Sequence, residues 1–289
     1  MPITYDAVRA LSAELYDRSL RKVPDDTLAA LAAAGRVETS PTGQRTLVFM
    51  RDSARTASTH DRFVCSDAGV PSFHVTIGTA ARLQGPIRRA FVDGFADLVA
   101  RIDPPLLAHV TNPLTLERGH AGRNMPLVSF DLLDDADHVE IVCSPKALGS
   151  GRWAALETFS FPSVAQIEDY VIDAVVAAGS QPCPPVVVGV GVGGTFDHAA
   201  KLAALATLRP IGTRSADADV AAMEARLLAR VNALGFGPMG TGGDATAYAV
   251  HVDTSAGHGY TPVAVAFNCW INRRTRARIY DDGRIERLE

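Results

Sequence analysis

The residues of this chain best suited to chemistry are four cysteines, Cys65, Cys143, Cys183 and Cys269. They are too few and too dispersed for the disulfide framework of a small secreted domain, and no CxxC pair marks a zinc ribbon or a thioredoxin-like site. Three of them stand beside features that let a backbone approach something closely: Cys65 in VCSDAG, Cys183 in QPCPPVVVGVGVGG and Cys269 directly after AVAFN. Cys143 instead closes the apolar run VEIVC. Three soft thiolates suit an iron-sulfur cluster and leave its fourth iron open as a Lewis acid. A free cysteine is also a small buried hydrophobe, and spacing alone leaves both readings open.

Two glycine clusters are the other candidates. Gly189 to Gly194, GVGVGG, fits the form G-x-G-x-x-G between an apolar strand and a helix, where a dinucleotide site requires it. Against that reading, the segment LRPIGTRSADAD follows where a strand ending in an acidic residue is needed. The second cluster, Gly235 to Gly243, lacks the Gly-Lys-Ser/Thr ending of a P-loop.

The elements that must position these residues are legible as patterns. Val8, Leu11 and Leu15 share a helical face; a second helix begins after Pro24, carries Leu28 and Leu31 inward and stops at Gly35; a third runs from Leu47 to Ala57. From Cys65 the texture changes to short β-branched runs. Strands are predicted over 70–76, 127–132, 139–142, 186–190, 246–252 and 263–267, and helices over 86–101, 164–178, 196–208 and 218–234. Asp281-Asp282-Gly283 reads as a hairpin turn closing a small terminal ribbon. The order is mixed, so the expected class is α+β: a helical N-terminal layer, residues 1–60, packed on a mixed-sheet part, residues 61–289, within a single domain.

Composition limits the function. Of 289 residues 47% are apolar and 21% charged, which allows a sizeable core, and the formal net charge of −4 offers no basic field for nucleic acid or an anionic membrane. No run approaches the length of a membrane helix and the N-terminus is too charged for a secretory signal, so a cytoplasmic protein is expected.

Several colinear blocks resemble the alpha subunit of iron-sulfur-dependent hydro-lyases, the class I fumarases and L-tartrate dehydratases. The segment YVIDAVVAAGSQPCPPVVVGVGVGGTFDHAAKLAALATLRPIG resembles the centre of that subunit, and VCSDAG resembles its Cys-Gln-Asp-Thr-Gly. ERGHAGRNMP is similar to its Arg-x-Asn-Thr-Gly segment, LGFGPMGTGGDATAYAVHV to its glycine-rich run, and PVAVAFNCWINRR to the stretch with its last cluster cysteine. The resemblance implies a 4Fe-4S cluster on Cys65, Cys183 and Cys269, with Cys143 a structural thiol. It implies that the open iron binds the hydroxyl and a carboxylate of a 2-hydroxy diacid while a base removes the neighbouring proton. Arg118 matches the family's substrate arginine, and Asp67 its aspartate that contacts substrate or a proton-transfer partner. His258 lies close to its active-site histidine; Lys146 and Gly149 occupy the place of its lysine and of a backbone amide offered to substrate.

The departures cluster around this presumed pocket: Ser66 and Ala68 replace glutamine and threonine, Asp244 replaces lysine, and His120 and Arg123 stand where asparagine and an acidic residue are usual. Lost hydrogen bonds of this kind change which ligand is tolerated, so a dicarboxylate related to fumarate, rather than fumarate itself, is expected. Single-chain members continue past the last cysteine into a domain that supplies further active-site residues, so a separate beta subunit is expected here, with an α2β2 assembly as one form. A non-catalytic cluster-binding or regulatory homologue is the alternative; a nucleotide-dependent oxidoreductase using Gly189 to Gly194 is a lesser one.

Overall fold

The computed structural model describes residues 2–288. In chain order the elements are β1 (Ile3–Thr4), α1 (Tyr5–Arg21), α2 (Asp25–Val37), α3 (Pro41–Thr59), β2 (Ser72–Gly78), β3 (Leu83–Gln84) and α4 (Ile87–Arg101). There follow β4 (Val110–Thr111), β5 (Arg118–Gly119), β6 (Leu127–Leu133), β7 (His138–Cys143), α5 (Leu148–Gly151), β8 (Ala155–Ser160), α6 (Val164–Ala178) and β9 (Val186–Gly193). The chain closes with α7 (Phe196–Ala206), α8 (Ala218–Ala233), β10 (Ala247–Ser255), β11 (Tyr260–Asn268), β12 (Thr275–Tyr280) and β13 (Ile285–Leu288). The class is α+β with two mixed sheets. No helix among the described residues is long and apolar enough to cross a membrane.

The chain forms two compact units, each discontinuous in sequence. The first comprises residues 1–24, 54–147 and 273–289; the second comprises 25–53 and 148–272. The three N-terminal helices are therefore shared out between the units: α1 belongs to the first, α2 and most of α3 to the second. The physical reason lies in their apolar faces. Val8, Leu11, Leu15 and Leu20 of α1 enter a core with Phe73, Phe91 and Ile141, whereas Leu31 of α2 and Leu47 and Met50 of α3 close around Ala245.

In the first unit the sheet order is β13-β12-β7-β2-β6, with β2 parallel to β6 and the other pairs antiparallel. The terminal ribbon expected at Asp281 to Gly283 is the β12–β13 hairpin. In the second unit the order is β10-β9-β11-β8. Alternation along β9 and β11 assigns two faces: Val186, Val188, Val190, Val263, Val265 and Phe267 join a core with α6 and α8, while Ala264 and Ala266 meet Ala199 and Ala203 of α7 on the other. α6 begins at a capping box, Ser163 with Gln166, and occupies the predicted span 164–178. α2 passes through Gly35 to Val37, since an exposed glycine near a helix end costs only propensity.

Candidate active site

Gly189 and Gly191 lie inside strand β9, not in a strand-to-helix turn. A Cβ at Gly189 would fall 2.1 Å from the carbonyl oxygen of Ala203, and one at Gly191 2.0 Å from that of Ala199. The glycines are there so that α7 can lie directly on the sheet. The G-x-G-x-x-G pattern is thus a packing stripe, and the dinucleotide reading loses its structural context.

The second unit places two of the expected thiols on one backbone frame. Cys183, in left-handed conformation (φ 58°), follows the end of α6 and directly precedes the approach to β9. Its carbonyl accepts a hydrogen bond from the Trp270 amide at 3.0 Å, the residue after Cys269, and the Pro184 carbonyl accepts one from Met239 at 2.8 Å in the second glycine cluster. The Cys269 carbonyl in turn accepts from the Asn272 amide at 2.8 Å. Buried Asn268 and Asn272 lock this turn through a 3.0 Å side-chain bond. Gly149 adjoins the same frame: a Cβ there would stand 3.2 Å from the Gln181 carbonyl oxygen, which itself accepts from the Cys183 thiol at 3.8 Å. The Gly242-Gly243-Asp244 departure has a structural role in this unit. Asp244 accepts from the Thr39 amide and hydroxyl, bonds that hold its carboxyl below the usual range, and its own amide donates to Glu38.

His258 goes elsewhere. It is exposed in the turn between β10 and β11, its ring stacked on Tyr260 at 5.2 Å, with Nδ1 accepting from the Tyr260 amide. Cys269 follows the other end of β11. At about 3.4 Å per residue that strand separates the two by roughly 27 Å, so within one chain His258 and Cys269 do not meet at one small molecule.

In the first unit Cys65 is exposed and begins a loop pinned from three sides. The Tyr16 hydroxyl of α1 donates to the Ala68 and Gly69 carbonyls at 3.0 and 3.1 Å. Val70 and Lys146 exchange backbone bonds of 2.9 and 3.0 Å. Gly69, at φ 76°, has no room for a Cβ, which would lie 2.9 Å from Pro145 backbone. Asp67 forms an Asx turn, Oδ1 accepting from the Gly69 amide at 2.9 Å, and the same oxygen faces His109 Nε2 at 3.5 Å. His109 was not legible as a site residue: in LLAHV it is one histidine in an apolar run. It directly precedes β4, whose Thr111 pairs opposite Arg118 of β5, so a small hairpin carries both Arg118 and the partner of Asp67. Arg118 itself is exposed. Cys143 is fully buried, and burial pushes its thiol up, against opposing bonds from Ser19 and Thr275.

Among the described residues no group of three His, Cys, Asp or Glu side chains is gathered tightly enough to hold a metal ion. The structure joins Cys183, Cys269 and Gly149 in one unit, and Asp67, His109 and Arg118 in the other, with Cys65 on the Asp67 loop.

The chain matches the family described as "Fumarate hydratase (Fumerase)" over residues 9–278. It is 34% identical over 280 residues to the Methanocaldococcus jannaschii protein named "Putative L(+)-tartrate dehydratase subunit alpha", covering 94% of this chain and 97% of that one. It is 30% identical over 277 residues to the L(+)-tartrate dehydratase subunit alpha of Escherichia coli strains UTI89 and K12, covering 92% of this chain and 89% of each. A match that takes in the Cys65 loop, the Arg118 hairpin and the Cys183–Cys269 frame alike places this chain in the fumarate hydratase family of hydro-lyases.

Proposed function

We propose that the chain is the alpha-type subunit of a hydro-lyase that reversibly adds water to, or removes it from, a dicarboxylate of the fumarate, malate or tartrate class. The reading includes a 4Fe-4S cluster on Cys65, Cys183 and Cys269 and a separate beta-type subunit. The observation that carries it is the family match across residues 9–278, which spans all of these positions. The relatives' names as alpha subunits support the partner. The donor chemistry supports the cluster, because the three thiols stand in no disulfide and are at least partly exposed while Cys143 is buried and held protonated. Such a cluster supplies a Lewis acid that eases departure of a hydroxyl group.

The chain's own residues supply the rest. Arg118 offers a planar fork for two parallel, charge-assisted bonds to a carboxylate, which a lysine cannot reproduce. Asp67, with the Gly69 amide fixing one oxygen and His109 beside it, takes the proton from the carbon next to the one that bears the hydroxyl. Gly149 keeps the Cys183 loop open to a ligand's approach because it carries no side chain. His258 has no part in this scheme within its own chain.

The test is turnover in deuterium oxide. Protein purified anaerobically with any subunit that accompanies it is incubated with L-tartrate, (S)-malate, fumarate and methyl-substituted diacids, and products are read by NMR. Net hydration or dehydration of one of them, with deuterium entering at a single carbon, is expected; no turnover and no exchange with any diacid would sink the proposal.

A further inference from the structure

Arg273, the first residue of the last segment of the first unit, is 4% exposed, and its Nε, Nη1 and Nη2 all lack a hydrogen-bond partner among the described residues. The Tyr248 hydroxyl and His251 Nε2 are also buried without partners, but those groups are neutral. A guanidinium is charged at every physiological pH, and a buried charge with neither counter-ion nor hydrogen bonds is among the costliest features a fold can carry. Its donors form a rigid fork, and none of the three nitrogens is satisfied from within the described residues.

The surroundings say what the fork is for. The Arg273 carbonyl accepts from the Ser144 hydroxyl at 3.0 Å, two residues before Lys146, whose backbone bridge to Val70 pins the Asp67 loop. The pKa of the Tyr16 hydroxyl, which is bonded to that loop at Ala68 and Gly69, is raised mainly by burial and further by the Asp67 charge, while the Arg273 charge opposes the rise. One hydroxyl therefore senses both the guanidinium and the Asp67 carboxylate. Yet the two opposite charges do not pair; the Asp67 oxygen is turned to the Gly69 amide and His109 instead.

We infer that Arg273 binds a carboxylate of the small dicarboxylate substrate beside Asp67, as the buried counterpart of the exposed Arg118; this rests on the hydro-lyase reading. Near-complete burial favours a small anion over an acidic surface of another protein. A diacid needs two cationic contacts. Solvent and salt weaken the one at Arg118 and spare the one at Arg273. The arrangement also holds the diacid's backbone next to the carboxylate that handles its proton.

The test uses the full chain, purified anaerobically with any accompanying subunit, as wild type, Arg273→Met and Arg273→Lys. Thermal unfolding and equilibrium binding are followed with L-tartrate, succinate as an inert diacid, and acetate. Wild type is expected to gain Tm with the diacids. Arg273→Met is expected to unfold at or above the wild-type temperature without ligand and to lose diacid affinity by about 30-fold or more. Arg273→Lys, which keeps the charge and loses the fork, is expected to fold and to bind about tenfold more weakly; it decides the matter should the methionine variant not fold. Wild-type affinity in either variant overturns the inference and leaves the hydro-lyase reading intact, as does an Arg273→Met protein that melts far lower yet keeps its ligand response. A wild type that binds no diacid overturns both.

Discussion

The two units hold their candidate chemistry by different means. In the second, the thiols of Cys183 and Cys269 ride on backbone: a carbonyl-to-amide bond between their loops, glycines where chains touch, and a turn locked by two buried asparagines. In the first, the candidate groups are polar side chains, Asp67, His109 and Arg273, set against a loop that other residues pin. Backbone frames fix position and tolerate little change. Side-chain constellations can be rewritten one residue at a time: of the departures, Ser66, Ala68, His120 and Arg123 fall in the first unit and Asp244 in the second. On the proposed reading, the second unit holds two of the three cluster thiols on a backbone frame, and the first adds Cys65 together with the side chains that choose the substrate.

Asp67→Asn breaks that comparison most sharply if it fails. The amide keeps the Asx-turn bond to Gly69, so stability is expected within about 0.5 kcal/mol of wild type. Loss of proton transfer lowers kcat by roughly 10²–10⁴-fold. Denaturant unfolding and steady-state turnover on one preparation check both halves.

Breaking the buried ion pair of the second unit comes next. Glu224 is fully buried and accepts from Arg209 Nη1 at 2.7 Å, from the Val252 amide at 2.9 Å and from the Ser215 amide at 3.0 Å. Glu224→Ala strands two amides, leaves Arg209 only its longer contacts with Asp253 and the Val252 carbonyl at 3.3 and 3.4 Å, and is expected to cost about 3 kcal/mol by urea titration. Gly191→Ala follows, with an expected cost of about 3 kcal/mol as α7 is forced off the sheet, and diacid affinity unchanged in the folded fraction. A Gly191→Ala protein of wild-type stability would contradict the close packing of α7 on β9.

The smallest effect is a pH slope. His251 is buried with Nδ1 near the Ala206 carbonyl at 3.0 Å, and burial, then the Arg209 charge, lowers its pKa from 6.5. The unfolded chain therefore binds the proton more readily. The contribution of His251 is full above pH 6.5 and declines as pH falls below it, by at most about 1.4 kcal/mol per unit. His251→Gln should flatten the dependence of urea midpoint on pH between 7 and 5.

Much of the fold was legible because it follows apolar periodicity: α6, α8, the inner strands and the terminal hairpin lie where their patterns put them. β8 was missed because ALETFS, largely exposed, shows no buried face. β9 runs on to Gly193 because glycines that read as a loop are packing contacts. The division into two discontinuous units depends on residues 1–24 meeting 273–289, a pairing no local window reveals. For the site, the cysteine, aspartate and arginine positions were marked by motif. His109 and Arg273 were not, since a lone histidine in an apolar run and an Arg-Arg pair near a terminus look ordinary until burial is known.

The central claim, that Cys65, Cys183 and Cys269 hold one cluster with an open iron, is tested most directly by anaerobic iron and sulfide content with EPR of the reduced protein, for wild type and Cys183→Ser, with and without a diacid. The account predicts about four irons and four sulfides per chain, lost in Cys183→Ser, and a wild-type spectrum shifted by one diacid. A wild type that carries no cluster after careful reconstitution, or a Cys183→Ser protein that keeps a full one, would contradict it.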